Sequence, residues 1–189
     1  MALKQKLDYL DLASAPADRL RYEILDGELL VTPAPSLVHQ RVSRRLQRQL
    51  EDYFHAAGRG EVFAAPTDVI LTPHDVVEPD LVVVTDARQF SRRGVEGPPT
   101  LVVEILSPST RDRDQTLKAR RYAELGIPHY WIVDPDAMRI VFYRAEGASY
   151  VVAGDAEGDT TVEAPGWPGL TIAVGELWQP SPLERADRA

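Results

Sequence analysis

The sequence contains no cysteine among its 189 residues. Disulfide frameworks, thiolate zinc sites, iron–sulfur clusters and a cysteine nucleophile are therefore excluded. Any chemistry in this chain must use oxygen or nitrogen groups. The length is that of one ordinary domain, which can bury a core without covalent or metal crosslinks.

Long apolar runs are also absent. The N-terminal stretch MALKQKLDYLDLAS has acids within its first turns and no continuous apolar stretch of signal-peptide length. No later run approaches the roughly 20 residues of a membrane span. The sequence therefore predicts a cytoplasmic protein.

Several catalytic motifs are missing as well. The four histidines lack zinc-ligand spacing, and the chain has neither a Gly-x-Ser-x-Gly nucleophile elbow nor a phosphate-binding Gly-Lys-Ser/Thr loop. Gly58-x-Gly60 lacks the third glycine of a dinucleotide-binding fingerprint. Hydride transfer and nucleotide hydrolysis are thus disfavoured.

The formal charge of −8 is at first sight unfavourable for binding nucleic acid, because phosphate binding normally needs a basic surface. The acids are unevenly distributed, however. Residues 145–189 contain eight acids and two bases, which accounts for −6 of the total. The other 144 residues, with 19 bases and 21 acids, are nearly neutral, so the composition is compatible with a local basic surface.

The first third of the chain predicts a hairpin followed by a long helix. Strands at residues 22–25 and 28–32 flank Asp26-Gly27, a dipeptide that favours a tight turn because both residues tolerate positive φ. Ser36 is a favourable N-cap, and apolar residues recur every four positions up to Gly58: Val38, Val42, Leu46, Leu50 and Phe54. The opposite face of this helix carries Arg41, Arg44, Arg45 and Arg48.

The rest of the chain predicts short strands and one more helix. Strands are expected at residues 62–65, 68–71, 81–84 and 101–106, with a turn at residues 73–75 and a polar loop near residues 85–98. A helix from about Asp114 to Leu125 ends at Gly126, and strands at 130–133 and 139–144 form a hairpin. Short peripheral strands at 150–152, 161–163 and 170–173 follow. The sequence thus predicts one α/β domain over residues 20–178, an N-terminal segment (1–19) and a disordered tail (179–189).

Glu104 is the most informative residue, because it interrupts the apolar strand Leu-Val-Val-Glu-Ile-Leu. An unpaired carboxylate buried there would cost several kcal/mol or would be forced to bind a proton. One interpretation is a structural ion pair with Arg120 or Arg121, which is the commoner explanation for an isolated buried acid.

Asp80 gives a second interpretation. Glu78-Pro79-Asp80 leads into the apolar strand 81–84, so a second acid at a strand end could converge on Glu104. Two such carboxylates are hard oxygen ligands suited to Mg²⁺ or Mn²⁺. Pro-Asp is also a common turn dipeptide, and taken alone it indicates no more than a turn.

Lys118 follows Glu104 by fourteen positions, in the next helix, with Tyr122 one turn further on the same face. If that helix packs back over the end of the strand, the ammonium would reach a metal-bound water. The alternative is a solvated lysine on a helix that also carries several arginines.

Several motifs together resemble one known family. They are Glu28 in the hairpin, Pro79-Asp80, Val103-Glu104-Ile105-Leu106-Ser107-Pro108-Ser109-Thr110, Lys118, Tyr122 and Gly126-Ile127-Pro128-His129-Tyr130-Trp131-Ile132-Val133-Asp134-Pro135. From about residue 20 to 178 the chain resembles the Uma-type restriction endonucleases. That family is placed in the PD-(D/E)XK nuclease superfamily, whose members bind Mg²⁺ through the acids of a Pro-Asp and a Glu-x-Lys motif.

The resemblance implies a restriction-endonuclease-like fold, in which a mixed β-sheet is flanked by helices, with an N-terminal hairpin and peripheral C-terminal strands. It implies that Asp80 and Glu104 bind Mg²⁺ or Mn²⁺, together with the carbonyl of Ile105. Lys118 would orient or help deprotonate the attacking water. Leu106 stands where Glu-x-Lys has its lysine, so Lys118 resembles a displaced replacement.

Further residues are candidates for the same site. Glu28 is an additional catalytic acid in this interpretation, or else a cross-strand surface charge. His39 matches a histidine often found in the family, although helix-end hydrogen bonding also explains it. The basic residues expected to follow a phosphate backbone, or else to form a solvated surface, are Arg41, Arg44, Arg45, Arg48, Arg111 and Arg113.

The sequence therefore predicts a Mg²⁺-dependent endodeoxyribonuclease. A homodimer is expected, because two-fold symmetry serves the cleavage of two strands. The alternatives are a non-catalytic member of the same fold that binds nucleic acid or protein, and a phosphodiesterase that acts on RNA.

Overall fold

A computed structural model describes residues 6–16, 18, 20–181 and 183. In chain order the elements are α1 (Tyr9–Leu12), β1 (Arg21–Leu25), β2 (Glu28–Thr32), α2 (Leu37–Tyr53), β3 (Glu61–Ala64), β4 (Val69–Thr72), β5 (Asp75–Val77), β6 (Leu81–Val84), a 3-10 turn (Ala87–Gln89), β7 (Val95–Glu96), β8 (Leu101–Ile105), a π-helical segment (Arg113–Lys118), α3 (Ala119–Glu124), β9 (His129–Asp134), β10 (Arg139–Glu146), β11 (Ser149–Glu157), β12 (Thr161–Glu163), β13 (Thr171–Ala173) and α4 (Val174–Trp178).

A six-stranded mixed sheet forms the centre of the fold, in the order β11-β10-β9-β8-β6-β3. Its pairings are antiparallel except between β8 and β9, which are parallel because the π-helical segment and α3 connect them. Strand β8 is buried along its whole length. The sheet thus places β8, with Glu104, between β6 and β9.

A second sheet of five short strands, in the order β2-β1-β5-β4-β7, carries the hairpin. The hairpin turn has Asp26 at φ 51° and Gly27 at φ 78°, as the Asp-Gly signal predicts. Valines from β4, β5 and β7 pack with one face of the central sheet and with Tyr122 of α3. The small sheet and α3 therefore cover the same face.

Helix α2 covers the other face of the central sheet. Its N-cap is Ser36, whose hydroxyl accepts a hydrogen bond from the backbone N–H of His39 at 3.2 Å. Val42, Leu46 and Leu50 project from one side of α2 into a core that also contains Trp131 and Phe142. This confirms the helix and most of its predicted buried face, and it leaves the arginine-bearing side outside the core. The prediction is wrong for Val38, which lies in the first turn of α2 and is 52% exposed.

The segment after β8 winds differently from the predicted helix. Residues 113–118 form a π-helical segment, and α3 continues it before the chain turns at Gly126, which has φ 83°. A π turn contains one residue more than an α turn, and such turns recur at functional sites. Hydrophobic spacing does not distinguish the two windings.

Two strands were missing from the sequence-based prediction. β5 begins at Asp75, inside the segment interpreted as a turn, and β7 lies inside the predicted polar loop. β11 extends over Ser149–Glu157, well beyond the predicted residues 150–152. These elements are short or polar, so their own sequences indicate strands only weakly.

The remaining predictions concern the two ends of the chain. Most of the predicted tail (182 and 184–189) lies outside the described residues, and so does much of the segment 1–19. The described part of that segment includes α1, and the Leu7 N–H donates to the Gly27 carbonyl at 3.0 Å. Within residues 6–16, 18, 20–181 and 183, no helix is both long enough and apolar enough to cross a membrane.

Candidate active site

The pairing of β6 with β8 brings Asp80 and Glu104 to the same end of the central sheet. The register pairs Leu81 with Val103 in antiparallel fashion, so Asp80 and Glu104 come next to each other at the strand ends. Both side chains are buried, with 4% and 2% of their residue surface exposed. The expected convergence of these two acids is therefore present in the fold.

Asp80 is held by donors from three different elements. Its Oδ2 accepts a hydrogen bond from the Ile105 N–H at 2.8 Å and lies 3.0 Å from His39 Nε2. Its Oδ1 lies 3.1 Å from Arg21 Nη1. Burial acts to raise the pKa of Asp80, but the contacts with His39 and Arg21 outweigh it, and the pKa lies below its usual range. Asp80 is thus an ionised carboxylate.

Glu104 makes its contacts through one oxygen. Its Oε1 accepts hydrogen bonds from Lys118 Nζ and from the Tyr122 hydroxyl, each at 2.9 Å. Burial raises the pKa of Glu104 to about 8, although the nearby Lys118 charge acts to lower it. Arg120 and Arg121 do not compensate Glu104, because they pair with Glu124 and with Asp75 respectively.

Lys118 lies at the centre of the buried charges, with 1% of its surface exposed. Its Nζ donates to Glu23 Oε1 at 2.8 Å and to Glu104 Oε1 at 2.9 Å, and it lies 3.9 Å from Asp114 Oδ1. Burial would lower the pKa of Lys118, but these carboxylates outweigh it and raise the pKa above its usual range. Lys118 is therefore a permanent ammonium and not a solvated surface lysine.

The acid that the hairpin contributes to this cluster is Glu23, not Glu28. Glu23 lies in β1, is 1% exposed and contacts Lys118. Glu28 pairs with Leu25 at the turn end of the hairpin and is exposed, so the structure does not bring it to the other acids. Glu23 precedes Ile24 and Leu25 in a strand, and this is the same signal, an acid among apolar strand residues, that singled out Glu104.

A cleft of about 220 Å³ opens over these groups and is here called the inner cleft. Asp80, Glu104 and Lys118 line it, together with Arg113 and several hydroxyl side chains. The residues that supply these hydroxyl groups are Thr32, Ser36, Ser107, Ser109 and Thr110. The inner cleft thus combines acids, an ammonium and neutral hydrogen-bonding groups.

A larger groove of about 540 Å³, here called the outer groove, follows the exposed side of α2. Arg41 and Arg44 line it, and Ala64 and Ala65 lie among its other lining residues. The inner cleft and the outer groove share four lining residues, which are Arg21, Pro35, His39 and Asp80. A basic groove therefore leads directly to the buried acids.

Comparison with known proteins identifies the family and the fold. Residues 7–175 match the sequence profile of Uma2, a family described as "Putative restriction endonuclease". The chain belongs to the Uma2 family. No curated protein matches it.

The fold of this Uma2 chain also recurs in a solved structure. A protein from Anabaena variabilis ATCC 29413, described as a "putative nuclease belonging to DUF820", superimposes with a TM-score of 0.72 at 19% sequence identity. The match covers 91% of this chain and 97% of that chain. The restriction-endonuclease-like mixed sheet flanked by helices is thereby confirmed.

The predicted basic residues of the Uma2 chain separate into different environments. Arg45 Nη1 donates to the Leu177 carbonyl at 3.1 Å, so it connects α2 with α4. Arg111 Nη2 donates to carboxylate oxygens of Asp134 and Asp136, each at 3.0 Å. Arg48 is exposed on α2 and is not among the residues that line either cavity.

Arg113 remains at the inner cleft. Its Nη2 donates to the Thr32 hydroxyl at 2.7 Å, and its buried Nε has no hydrogen-bond partner among the described residues. An unsatisfied buried donor costs free energy, and a ligand oxygen in the cleft can remove that cost. Of the six arginines predicted to contact nucleic acid, Arg41, Arg44 and Arg113 are thus the ones that line the two cavities.

The donor set of the site fits a hard divalent cation. Asp80 and Glu104 supply carboxylates, and Ile105, whose carbonyl is the third predicted ligand, also lines the inner cleft. No group of three or more His, Cys, Asp or Glu residues is arranged to hold a metal in the described part of the chain. Mg²⁺ does not need such a group, because it is commonly bound through one or two carboxylates and keeps several waters.

Proposed function

We propose that this Uma2 protein is a divalent-metal-dependent endonuclease that hydrolyses phosphodiester bonds in DNA. The observation that carries the proposal is that Asp80, Glu104 and Lys118 together line the inner cleft, which shares lining residues with a basic groove. Two carboxylates and an ammonium at the end of a phosphate-binding groove are the groups required for metal-assisted attack of water on a phosphodiester.

The side chains would divide the work as follows. Asp80 and Glu104 would hold Mg²⁺ or Mn²⁺, which supplies polarisation of the phosphate and stabilisation of the developing negative charge when bound. Two of the three Lys118 ammonium protons are engaged by Glu23 and Glu104. Because Lys118 stays protonated, its remaining proton would orient the attacking water in the inner cleft, and Lys118 would not act as the base.

The outer groove supports a nucleic-acid substrate. Arg41 and Arg44 are spaced along the exposed side of α2, where they can follow successive phosphates. Replacing Arg44 by alanine should weaken DNA binding at low salt and reduce the slope of log affinity against log salt by about 1. Arg139→Ala is the control, because it removes the same charge from β10, where Arg139 pairs with Asp155.

A homodimer is part of the proposal, because two copies related by a two-fold axis present one site to each strand of a duplex. Sedimentation velocity of the purified protein, with and without duplex DNA, measures this directly. A monomer in both samples would remove the dimer from the proposal and leave the chemistry of the single site unaffected.

The decisive experiment is plasmid cleavage with Mg²⁺ or Mn²⁺ by the wild type, Glu104→Gln and Asp75→Asn. Asp75 is a fully buried acid outside the site, paired with Arg121 at 2.7 Å, so its variant controls for loss of a buried carboxylate. The expected result is cleavage reduced roughly 100- to 1,000-fold in Glu104→Gln alone. Circular dichroism must show that all three proteins are folded.

A non-catalytic binding protein is the second candidate, because the Lys118–Glu104 pair is already formed at 2.9 Å, as in a structural ion pair. Mn²⁺ binding separates the two functions. A folded wild type that neither binds Mn²⁺ nor cleaves DNA would support the binding protein. Competition of labelled DNA cleavage by unlabelled RNA tests the remaining alternative, an RNA substrate.

A further inference from the structure

Glu23 is a buried acid that the proposed chemistry does not use directly. It is 1% exposed, and it is not among the residues that line the inner cleft. Its contact with the site is the 2.8 Å hydrogen bond from Lys118 Nζ to Glu23 Oε1. A buried carboxylate costs free energy unless it is compensated, so its position behind Lys118 calls for a functional explanation.

The charges around the cleft are paired unevenly. Asp80 contacts Arg21 at 3.1 Å, and Asp114 lies 3.7 Å from Arg113 Nε, so an arginine lies beside each of these acids. Lys118 instead serves Glu23 and Glu104 together, at 2.8 Å and 2.9 Å. When all three side chains are ionised, the trio of Glu23, Glu104 and Lys118 has a formal charge of −1.

We propose that Glu23 is a positioning residue: it acts as a second counterion of Lys118, so that Lys118 does not neutralise Glu104 once Glu104 is ionised, and the carboxylate stays available to a divalent cation. This inference rests on the proposed function. Without Glu23, Glu104 and Lys118 would form a neutral ion pair. Lys118 would then compete with a cation for the Glu104 carboxylate.

Glutamine is a clean replacement at position 23. Glu23 Oε1 accepts both hydrogen bonds, from Lys118 Nζ at 2.8 Å and from the Glu78 N–H at 3.0 Å. Glu23 Oε2 is buried and has no hydrogen-bond partner among the described residues. An amide can therefore keep its oxygen at the first position and place its NH₂ group at the second, where no donor opposes it. Glu23→Gln changes the charge and little else.

The charge count predicts an order of affinities rather than a single loss. Glu23→Gln makes the trio neutral and should weaken Mn²⁺ binding roughly 10- to 100-fold, as for other residues that support metal ligands. Lys118→Met leaves a formal charge of −2 once Mn²⁺ has displaced the proton that the loss of Lys118 favours on Glu104, so it should bind Mn²⁺ more tightly than the double variant described next. The double variant Glu23→Gln/Lys118→Met returns to −1, so its affinity should recover towards the wild-type value.

A merely structural role for Glu23 predicts the opposite behaviour of the double variant. Each substitution would then loosen the same buried cluster, and the double variant would bind Mn²⁺ more weakly than either single variant. Asp75→Asn is the matched control, because Asp75 Oδ1 accepts a hydrogen bond from the Asp26 N–H at 2.8 Å and so holds the same hairpin without touching Lys118. Its Mn²⁺ affinity should equal that of the wild type.

The experiment is Mn²⁺ titration followed by electron paramagnetic resonance at pH 8.5 under argon, together with kcat and KM for DNA cleavage. Support would be weak Mn²⁺ binding and a lowered kcat with unchanged KM in Glu23→Gln, and recovered binding in the double variant. If Glu23→Gln binds Mn²⁺ with wild-type affinity while Glu104→Gln loses Mn²⁺ binding, only the proposed role of Glu23 is overturned, and the proposed function stands. A wild type that neither binds Mn²⁺ nor cleaves would overturn the proposed function as well.

Folding of the variants is followed by urea denaturation. If Glu23→Gln does not fold, the comparison of Lys118→Met with the double variant still decides the matter. The double variant should bind Mn²⁺ more weakly than Lys118→Met by a similar factor, because it differs by the same single charge. Equal affinity of these two variants would contradict the charge argument.

Discussion

Cation binding to this site should release a proton from Glu104. Burial raises the pKa of this carboxyl to about 8, so about nine tenths of the molecules hold a proton there at pH 7. A cation ligand must be deprotonated. Uptake of Mn²⁺ at pH 7 should therefore release about 0.9 protons per ion, and uptake at pH 9 should release about 0.1.

The same equilibrium fixes the pH dependence of the affinity. Between pH 9 and pH 7 the Mn²⁺ affinity should fall about tenfold, because the protonated fraction of Glu104 rises over that range. Asp80 does not contribute, since its pKa is lowered and it is already ionised. Isothermal titration calorimetry in two buffers of different ionisation enthalpy gives the number of protons released.

Two results would refute the reasoning. One is an affinity that stays constant between pH 7 and pH 9, and the other is a proton release below about 0.3 at pH 7. Asp75→Asn should reproduce the wild-type pH dependence, because Asp75 lies outside the site and pairs with Arg121. Cleavage kinetics are not needed for this test, so it remains informative even for a slow enzyme.

Two further predictions concern stability. Burial raises the pKa of Glu78 from 4.5 to about 7, so between these pH values the folded state binds more protons than the unfolded state. The free energy of unfolding should therefore fall as pH rises through that window, by about 3 kcal/mol at most. Glu78→Gln should remove this contribution in urea denaturation at pH 5 and pH 8, and an unchanged pH dependence in the variant would contradict the prediction. Arg45→Ala should lower the free energy of unfolding by about 1–2 kcal/mol, because two hydrogen bonds to the Leu177 and Gln179 carbonyls are lost. It should weaken DNA binding less than Arg44→Ala does. An equal effect of the two variants on DNA binding would place Arg45 in the nucleic-acid-binding surface.

Much of the scaffold could be predicted from hydrophobic spacing. Helix α2 has a regular apolar face and a good N-cap, β6 is a continuous apolar run, and β8 is an apolar run that only Glu104 interrupts, so local sequence and buried environment agree. Strands β5 and β7 have three and two residues. They form because neighbouring strands pair with them, and pairing across the sheet is not contained in such short segments.

The acids of the site also show that local sequence does not reveal contacts between distant parts of the chain. Asp80 and Glu104 stand out because they interrupt or introduce apolar strands, and the antiparallel register brings them together. Glu23 carries the same signal, yet its relation to Lys118 depends on a contact across 95 positions of the chain. Glu28 lies in the partner strand opposite Leu25, at the exposed turn end of the hairpin. It therefore shares a face of the hairpin with Glu23 but not its buried environment.

The π winding of residues 113–118 makes chain length part of the site. Glu104 and Lys118 are separated by 14 positions, and many side chains between them, such as Gln115 and Thr116, are exposed. Substitutions at such positions should be tolerated. Deleting one of them would remove the extra residue of the π turn, and α winding would then keep Lys118 near its present orientation. A second deletion could not be absorbed in this way and would rotate Lys118 by about 100° around the helix axis, away from Glu23 and Glu104. This segment can therefore vary in composition and can lose one residue, but not two.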